Sequence, residues 1–100
     1  MPLDLDQFPR DEIAAFCRRN HISRLAVFGS ALREDFTAES DIDVLVEFEP
    51  GETPGFRFFR LQYELGALLG RPVDLNTPQC LSSYFRDEVL AEARNIYVAA

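Results

Sequence analysis

The chain has 100 residues, of which 47% are apolar, and a formal net charge of −7, which is enough apolar material for the core of one domain. No basic stretch is present, so the composition argues against direct nucleic-acid binding, which depends on lysine and arginine. No apolar run approaches the length of a membrane span, and the N-terminus lacks a basic-then-apolar signal. Cys17 and Cys80 are far apart, which favours two reduced thiols in a cytoplasmic protein.

The first two predicted elements are a helix over residues 9–20 and a strand over residues 25–28. The helix carries Ile13, Phe16 and Cys17 on one stripe, and two arginines near its end interact favourably with the helix dipole. The strand is a short apolar run that stops at a glycine. The chain therefore begins as helix, strand and tight turn.

The turn consists of Gly29 and Ser30, which directly follow the first predicted strand. Gly29 allows an unusual backbone dihedral and a close approach to a ligand. Ser30 is a good N-cap for a short helix over residues 31–33. Free amides at a helix start attract anions. Arg33, one turn along, could reach a phosphate, or it could be a solvated surface residue.

A polar loop is predicted over residues 34–40 and a second strand over residues 42–48. Side chains alternate along a strand, so one apolar face is shared by Ile42, Val44, Val46 and Phe48. Asp41 and Asp43 share the other face at neighbouring positions. Two carboxylates this close repel, and one would gain a proton unless a cation lay between them. Mg²⁺ suits this pair, since proteins hold it with one or two carboxylates plus substrate phosphates.

Residues 50–55 are rich in proline and glycine and break the chain, and a helix is predicted over residues 56–69, ended by Gly70 and Pro72. Apolar side chains surround most of this helix: Phe56, Phe58, Phe59, Leu61, Tyr63, Leu65 and Leu68. A helix that is apolar on more than one stripe usually has a second surface to cover. Either the preceding loop folds over it, or part of the helix docks another protein.

A third carboxylate, Asp74, lies in a predicted strand over residues 73–75, on the face opposite Val73 and Leu75. Three strand-borne acids on one sheet surface are a ligand set for two metals about 3.5–4 Å apart, which stabilise the attacking and leaving oxygens of an in-line phosphoryl displacement. The spacing of the three acids therefore predicts a metal-dependent phosphoryl-transfer site.

The last predicted elements are a helix from an N-cap at Ser82 to about residue 93 and a short strand over residues 96–98. The three tyrosines are interpreted as packing residues: Tyr63, Tyr84 and Tyr97. Helices alternate with strands, and no repeat or internal boundary interrupts them. The pattern predicts one domain of the α/β class.

Each site residue also has an ordinary structural interpretation. Gly29 and Ser30 could be a simple turn and helix cap. Asp41 and Asp43 could be a solvated strand end, and Asp74 a structural acid at the end of its strand. The combination at this spacing favours the functional interpretation over these separate ones.

These motifs resemble a known family. Gly29-Ser30, the ten-residue gap to Asp41-Ile42-Asp43 and the later Asp74 are similar to the minimal nucleotidyltransferases of the polymerase-beta-like superfamily, antitoxin branch, which pairs with HEPN-domain proteins. The resemblance covers nearly the whole chain. It implies a single minimal nucleotidyltransferase domain over residues 1–100, of α/β (α+β) type, with a small mixed sheet flanked by helices. Family members often carry glycine where this chain has Glu34.

The resemblance also implies an activity and its residues. The implied catalytic and metal-binding residues are Asp41, Asp43 and Asp74, and the nucleotide-binding residues are Gly29, Ser30 and Arg33. Two Mg²⁺ ions and ATP are expected, with Asp74 drawing the proton from the attacking hydroxyl.

The expected acceptor is a tyrosine of a HEPN-type RNase toxin, which AMP transfer would neutralise. One alternative is a non-catalytic antitoxin that acts by binding alone. Another is transfer to a small molecule, which a chain of this length without an acceptor domain makes less favoured.

Overall fold

The computed structural model describes residues 2–37 and 39–100. The helices and strands follow the order α1 (Arg10–Arg19), β1 (Ile22–Phe28), β2 (Ile42–Phe48), α2 (Arg57–Leu69), β3 (Val73–Asn76), α3 (Arg86–Glu92) and β4 (Arg94–Val98). Short 3₁₀ turns lie at Leu5–Gln7, Gly29–Leu32 and Pro78–Cys80. Met1 and Ala38 lie outside the described residues, and Ala38 belongs to the loop predicted over residues 34–40.

The four strands form one mixed sheet in the order β3-β2-β1-β4. β1 pairs antiparallel with β2 and with β4, whereas β2 and β3 are parallel. Parallel neighbours need a crossover connection, and α2 supplies it between β2 and β3. The predicted class, a small mixed sheet flanked by helices, is confirmed.

One face of the sheet carries the larger core. Its strand residues include Val27, Ile42, Val44, Val46 and Leu75, and the helices contribute Ile13, Phe16, Leu61, Leu65 and Leu69. The other face carries a smaller cluster of Ala26, Phe28, Leu45, Leu81 and Val89. Because side chains alternate, Asp43 shares the second face with Leu45, and Asp74 lies opposite its buried neighbours Val73 and Leu75. The face assignment made from the sequence is therefore confirmed.

The element boundaries agree closely for the first two helices. α1 spans ten of the twelve predicted residues, and α2 ends at Gly70, which has φ +75° and so takes the left-handed cap that glycine favours. β1 begins three residues earlier than predicted, because Ile22 and the polar Arg24 still pair with β2 on either side of an irregularity at Ser23.

The predicted cap at Ser82 is wrong. α3 begins only at Arg86, with Phe85 in the cap position. The Ser82 hydroxyl instead accepts a hydrogen bond from the Tyr84 N–H at 3.2 Å, which closes a local turn ahead of the helix. A serine that satisfies its own turn cannot also cap the helix start.

The second apolar stripe of α2 is open. Phe56 is 97% exposed, Phe59 70% and Tyr63 82%, so the preceding loop does not cover these side chains. Tyr84 is 95% exposed as well, and the packing prediction is therefore wrong for Tyr63 and Tyr84. It is confirmed for Tyr97, which is partly buried against the larger core.

The cysteine prediction is confirmed, since Cys17 and Cys80 are both free thiols. Cys17 is buried in the larger core, and this burial raises the pKa of its thiol to about 12. In the described part of the chain, the structure holds no helix with the length and apolar character needed to cross a membrane.

Candidate active site at the β2–β3 edge

The three predicted carboxylates lie where β2 and β3 begin. Asp43 and Asp74 are register partners in the parallel pair, and Asp41 directly precedes β2. The Ile42 N–H donates to the Pro72 carbonyl at 3.0 Å, so the two strand starts lie side by side. Asp41 and Asp74 are exposed, whereas Asp43 is half-buried. The sheet therefore brings acids that are 31 positions apart in sequence, Asp43 and Asp74, to one edge.

Asp43 has the most perturbed carboxyl group of the three. Burial raises its pKa above the ordinary value of 3.8, and the negative charges of Asp74 and Asp41 raise it further. A hydrogen bond from the Ser30 backbone N–H and the positive charge of Arg33 act in the opposite direction. Asp43 therefore lies in a negative field that a bound cation would relieve.

The donor set fits a hard cation in its chemistry. It consists of carboxylate oxygens, which Mg²⁺ and Ca²⁺ prefer. Within residues 2–37 and 39–100, no three His, Cys, Asp or Glu side chains are gathered closely enough to hold a metal ion as they stand. The assignment of Asp41, Asp43 and Asp74 as metal ligands stays a prediction.

Gly29 lies against the most perturbed acid. Its φ is +70°, in the left-handed region that favours glycine. A Cβ at this position would lie 2.5 Å from Oδ2 of Asp43. Phe28 and Asp43 are register partners in the β1–β2 pair, and this pairing places the turn directly beside the carboxylate. The structure thus requires glycine here both for the backbone angle and for the space that Asp43 occupies.

Ser30 is not the helix cap that the sequence predicted. It lies inside the 3₁₀ turn Gly29–Leu32, whose cap position is Phe28, and no side-chain cap hydrogen bond forms. The turn begins at Gly29, two residues before the predicted start at residue 31, and Gly29 itself has a positive φ. The Ser30 N–H, expected to be free for an anion, donates to Asp43 instead. Arg33 is exposed just after the turn, close enough for its charge to act on Asp43.

Arg71 is a site-proximal residue to which the sequence assigned no role. Its Nη2 donates to the Thr37 carbonyl at 2.6 Å and to the Ser40 carbonyl at 3.2 Å. Its guanidinium carbon lies 4.4 Å from the ring centroid of Phe36. The position of Arg71, a charged residue at the entry to the strand of Asp74, is a sequence signal for a role near the site. Nothing local in the sequence points to the distant loop that Arg71 contacts.

Comparisons with known proteins identify a family whose description agrees with this geometry. The family described as Nucleotidyltransferase domain matches residues 10–96. The protein adenylyltransferase MntA of Thermococcus cleftensis is 40% identical over 78 residues, which are 77% of this chain and 75% of that protein.

Two solved structures extend the comparison. A structure of a candidate minimal nucleotidyltransferase is 38% identical, with a TM-score of 0.64 over 85% of this chain and 86% of that one. An MNT antitoxin in complex with tri-AMPylated Shewanella oneidensis HEPN toxin shares the fold, with a TM-score of 0.63 at 20% identity over 90% of this chain and 70% of that chain. With a family match over most of its length and an acid edge beside a glycine–serine turn, the chain belongs to the nucleotidyltransferase domain family.

Proposed function

We propose that this chain is an antitoxin that transfers AMP from ATP to a tyrosine hydroxyl of a HEPN-type toxin. The observation that carries the proposal is the pairing of Asp43 with Asp74 beside the Gly29 turn, in a member of the nucleotidyltransferase family. The relative named protein adenylyltransferase supports AMP as the transferred group. The fold shared with an MNT antitoxin in complex with AMPylated HEPN toxin supports the partner.

The acids supply the metal site in this proposal. Asp41, Asp43 and Asp74 hold two Mg²⁺ ions, which neutralise charge on the triphosphate when they are bound. Asp74 is exposed at the strand start, where an incoming hydroxyl can come within hydrogen-bond reach, and it takes the proton. The hydroxyl oxygen forms a bond to the α-phosphorus, the bond from the α-phosphorus to the bridging oxygen breaks, and pyrophosphate leaves. This reaction depends on positioning and charge neutralisation, so it needs no histidine or cysteine nucleophile.

The turn supplies the phosphate site. The Ser30 hydroxyl and the amides around Gly29 hold the β- and γ-phosphates, and the exposed Arg33 adds a positive charge at the end of the same turn. The hydrogen bond from the Ser30 N–H to Asp43 links the two halves of the site. With a cation bound to the Asp43 carboxylate, the Ser30 N–H would be available to a phosphate oxygen.

The open stripe of α2 is the surface that we assign to the partner. Phe56, Phe59 and Tyr63 expose most of their surface there. A groove of about 550 Å³ lies alongside, and it is lined by residues that include Phe59, Tyr63, Ala67, Pro72 and Val73. Its lining therefore reaches Val73 at the start of β3, on the face of the sheet opposite Asp74. A protein held in this groove contacts the start of β3 from the α2 side.

Substitution of the stripe tests this assignment. The triple variant Phe56→Ala, Phe59→Ala, Tyr63→Ala should lose the complex with the HEPN protein in size-exclusion chromatography while it still binds Mg-ATP. Tyr84→Ala is the matched control, because Tyr84 is equally exposed but precedes α3. Retention of the complex by the triple variant would remove α2 as the docking surface.

Neutralisation by binding alone is the second candidate. The exposed stripe favours it as well, because an apolar surface can occlude a toxin without any chemistry.

A cytoplasmic location also stays a prediction, which the two free cysteines support.

Intact-mass spectrometry separates the two candidates. The cognate HEPN protein is incubated with this chain, Mg²⁺ and each nucleoside triphosphate in turn, with Asp41→Asn as the control. The proposal predicts a gain of one or more AMP groups with ATP, and no gain with Asp41→Asn. An unmodified but silenced partner in a stable complex would favour binding alone.

A further inference from the structure

Arg71 joins two segments that carry different acids. It precedes β3, the strand of Asp74, and its guanidinium reaches the loop that leads to Asp41. One nitrogen, Nη2, donates to the Thr37 and Ser40 carbonyls at 2.6 and 3.2 Å. The second of these carbonyls belongs to the residue directly before Asp41.

The loop has its own internal bonds, but they are local. The Ser40 N–H donates to the Thr37 carbonyl at 3.1 Å, and the Thr37 N–H donates to the Ser40 hydroxyl at 3.2 Å. These bonds shape the turn without fixing it relative to the sheet. Arg71 provides that link, and its guanidinium lies over the buried ring of Phe36, which anchors the same loop to the larger core.

We propose that Arg71 is a positioning residue that fixes Asp41 relative to Asp74 and thereby sets the affinity of the site for Mg²⁺ with nucleotide. The inference rests on the proposed function, because it assumes that the acids bind a metal–nucleotide complex. Its physical basis is the repulsion among three carboxylates, which drives the exposed Asp41 away from its neighbours unless its backbone is held. Arg71, a half-buried residue, holds that backbone from the β3 side through its guanidinium.

The geometry requires arginine rather than lysine. A planar guanidinium can donate to two carbonyls while it lies flat on an aromatic ring, whereas an ammonium group is a compact point charge. Arg71→Lys should therefore keep the charge and the fold but hold the loop less well. Arg71→Met keeps the apolar stem and loses the link entirely.

Nucleotide binding to the isolated chain provides the test. The probe is the ATP analogue AMP-PNP in the absence of any acceptor protein, and its binding is measured by calorimetry over a series of Mg²⁺ concentrations. Arg71→Met should raise the Mg²⁺ concentration for half-maximal binding about 10-fold, because groups that orient metal ligands contribute about 10–100-fold to metal affinity. Arg71→Lys should give a smaller rise, and Arg60→Met is the matched control, since Arg60 is exposed on α2.

The melting temperature is recorded for every variant. A purely structural role would lower the melting temperature of Arg71→Met and leave its Mg²⁺ midpoint at the wild-type value, and that result would overturn the inference. If Arg71→Met does not fold, a wild-type midpoint in Arg71→Lys overturns it instead. A wild-type chain that binds no AMP-PNP at any Mg²⁺ concentration would contradict the proposed function itself, and the inference with it.

Discussion

The two faces of the sheet are built from the same strands but have different roles. On one face, α1 and α2 enclose an apolar core that includes the fully buried Ile42, Val44 and Leu65. On the other face, the smaller cluster extends to Phe28, the register partner of Asp43, and Asp43 lies beside Asp74 where β2 and β3 begin. Burial of apolar surface stabilises the first face, whereas on the second face burial of the carboxyl group and the neighbouring negative charges raise the pKa of Asp43.

β2 shows how closely the two roles are linked. Ile42 and Val44 point into the larger core, while Asp43 between them points to the acid edge. A shift of one residue in its register would bury the acid and expose the apolar side chains. The core face therefore fixes the register that places Asp43 at the acid edge. Substitutions in the core between β2 and α2 should change stability, whereas substitutions at the acid edge should change activity.

Asp43→Asn should give the largest effect. We expect AMP transfer to fall on the order of 10³-fold, because metal-assisted charge stabilisation is worth several kcal/mol and each 1.36 kcal/mol is a factor of ten. The fold should persist, since the amide oxygen can still accept the Ser30 hydrogen bond. Initial rates of partner modification measure the loss, with the exposed Asp87→Asn of α3 as the control. Near-wild-type rates would remove Asp43 from the site.

Leu65→Ala should show the opposite pattern. Leu65 is a fully buried residue of α2, and its truncation should lower the free energy of unfolding by about 2–5 kcal/mol, through lost burial and the cavity left behind. Urea denaturation measures this change. At a temperature where the variant is still folded, its transfer rate should stay close to that of the wild type. A large loss of rate without a loss of stability would break the proposed division between the faces.

Gly29→Ala should affect both quantities. The new Cβ must adopt a positive φ and displace the Asp43 carboxylate, and the strained backbone alone costs about 1–2 kcal/mol. We therefore expect a lower melting temperature together with a slower transfer rate. Gly51→Ala is the control, since it shares the positive φ but has open space around the added Cβ. Equal effects of the two substitutions on the rate would show that crowding of Asp43 is unimportant.

The smallest expected effect concerns stability and pH in the absence of metal. Because the pKa of Asp43 is higher in the folded chain than its ordinary value of 3.8, the folded state binds this proton more tightly than the unfolded state. Its contribution to stability is then lost as pH rises through the folded pKa. Asp43→Asn should be the more stable protein at pH 7, and the difference should shrink as the solution is made acidic.

Urea denaturation of chelator-treated samples measures this difference in stability between Asp43→Asn and the wild type. Added Mg²⁺ should reverse the order of stability, because it should stabilise only the wild type. A variant that is less stable than the wild type at pH 7 without metal would contradict the electrostatic account of Asp43.

The sequence predicted the parts of the molecule that follow from local patterns. Alternation along residues 42–48 placed Asp43 opposite the core, and the glycine after the apolar run marked the turn. Contacts between distant segments were beyond such patterns. The pairing of Phe28 with Asp43 and the reach of Arg71 to Ser40 depend on how strands and loops pack together.

Local competition explains the predictions that failed. Ser82 closes its own turn with Tyr84, and Ser30 lies inside a turn that Gly29 had already begun. Residue propensity predicted both serines as helix caps, but the Ser82 hydroxyl and the Ser30 amide each form a hydrogen bond with the nearest available partner. The exposure of Tyr63 depends on whether a loop or a partner covers α2, and the apolar pattern alone left that choice open.

A crystal structure of the chain with Mn²⁺ and AMP-PNP tests the central claim most directly, because anomalous scattering locates the metal without reference to the proposed ligands. The account predicts metal peaks bounded by carboxylate oxygens of Asp41, Asp43 and Asp74, with the triphosphate on the turn at Gly29 and Ser30. Metal bound away from this edge, or a nucleotide held in the groove beside α2, would contradict it.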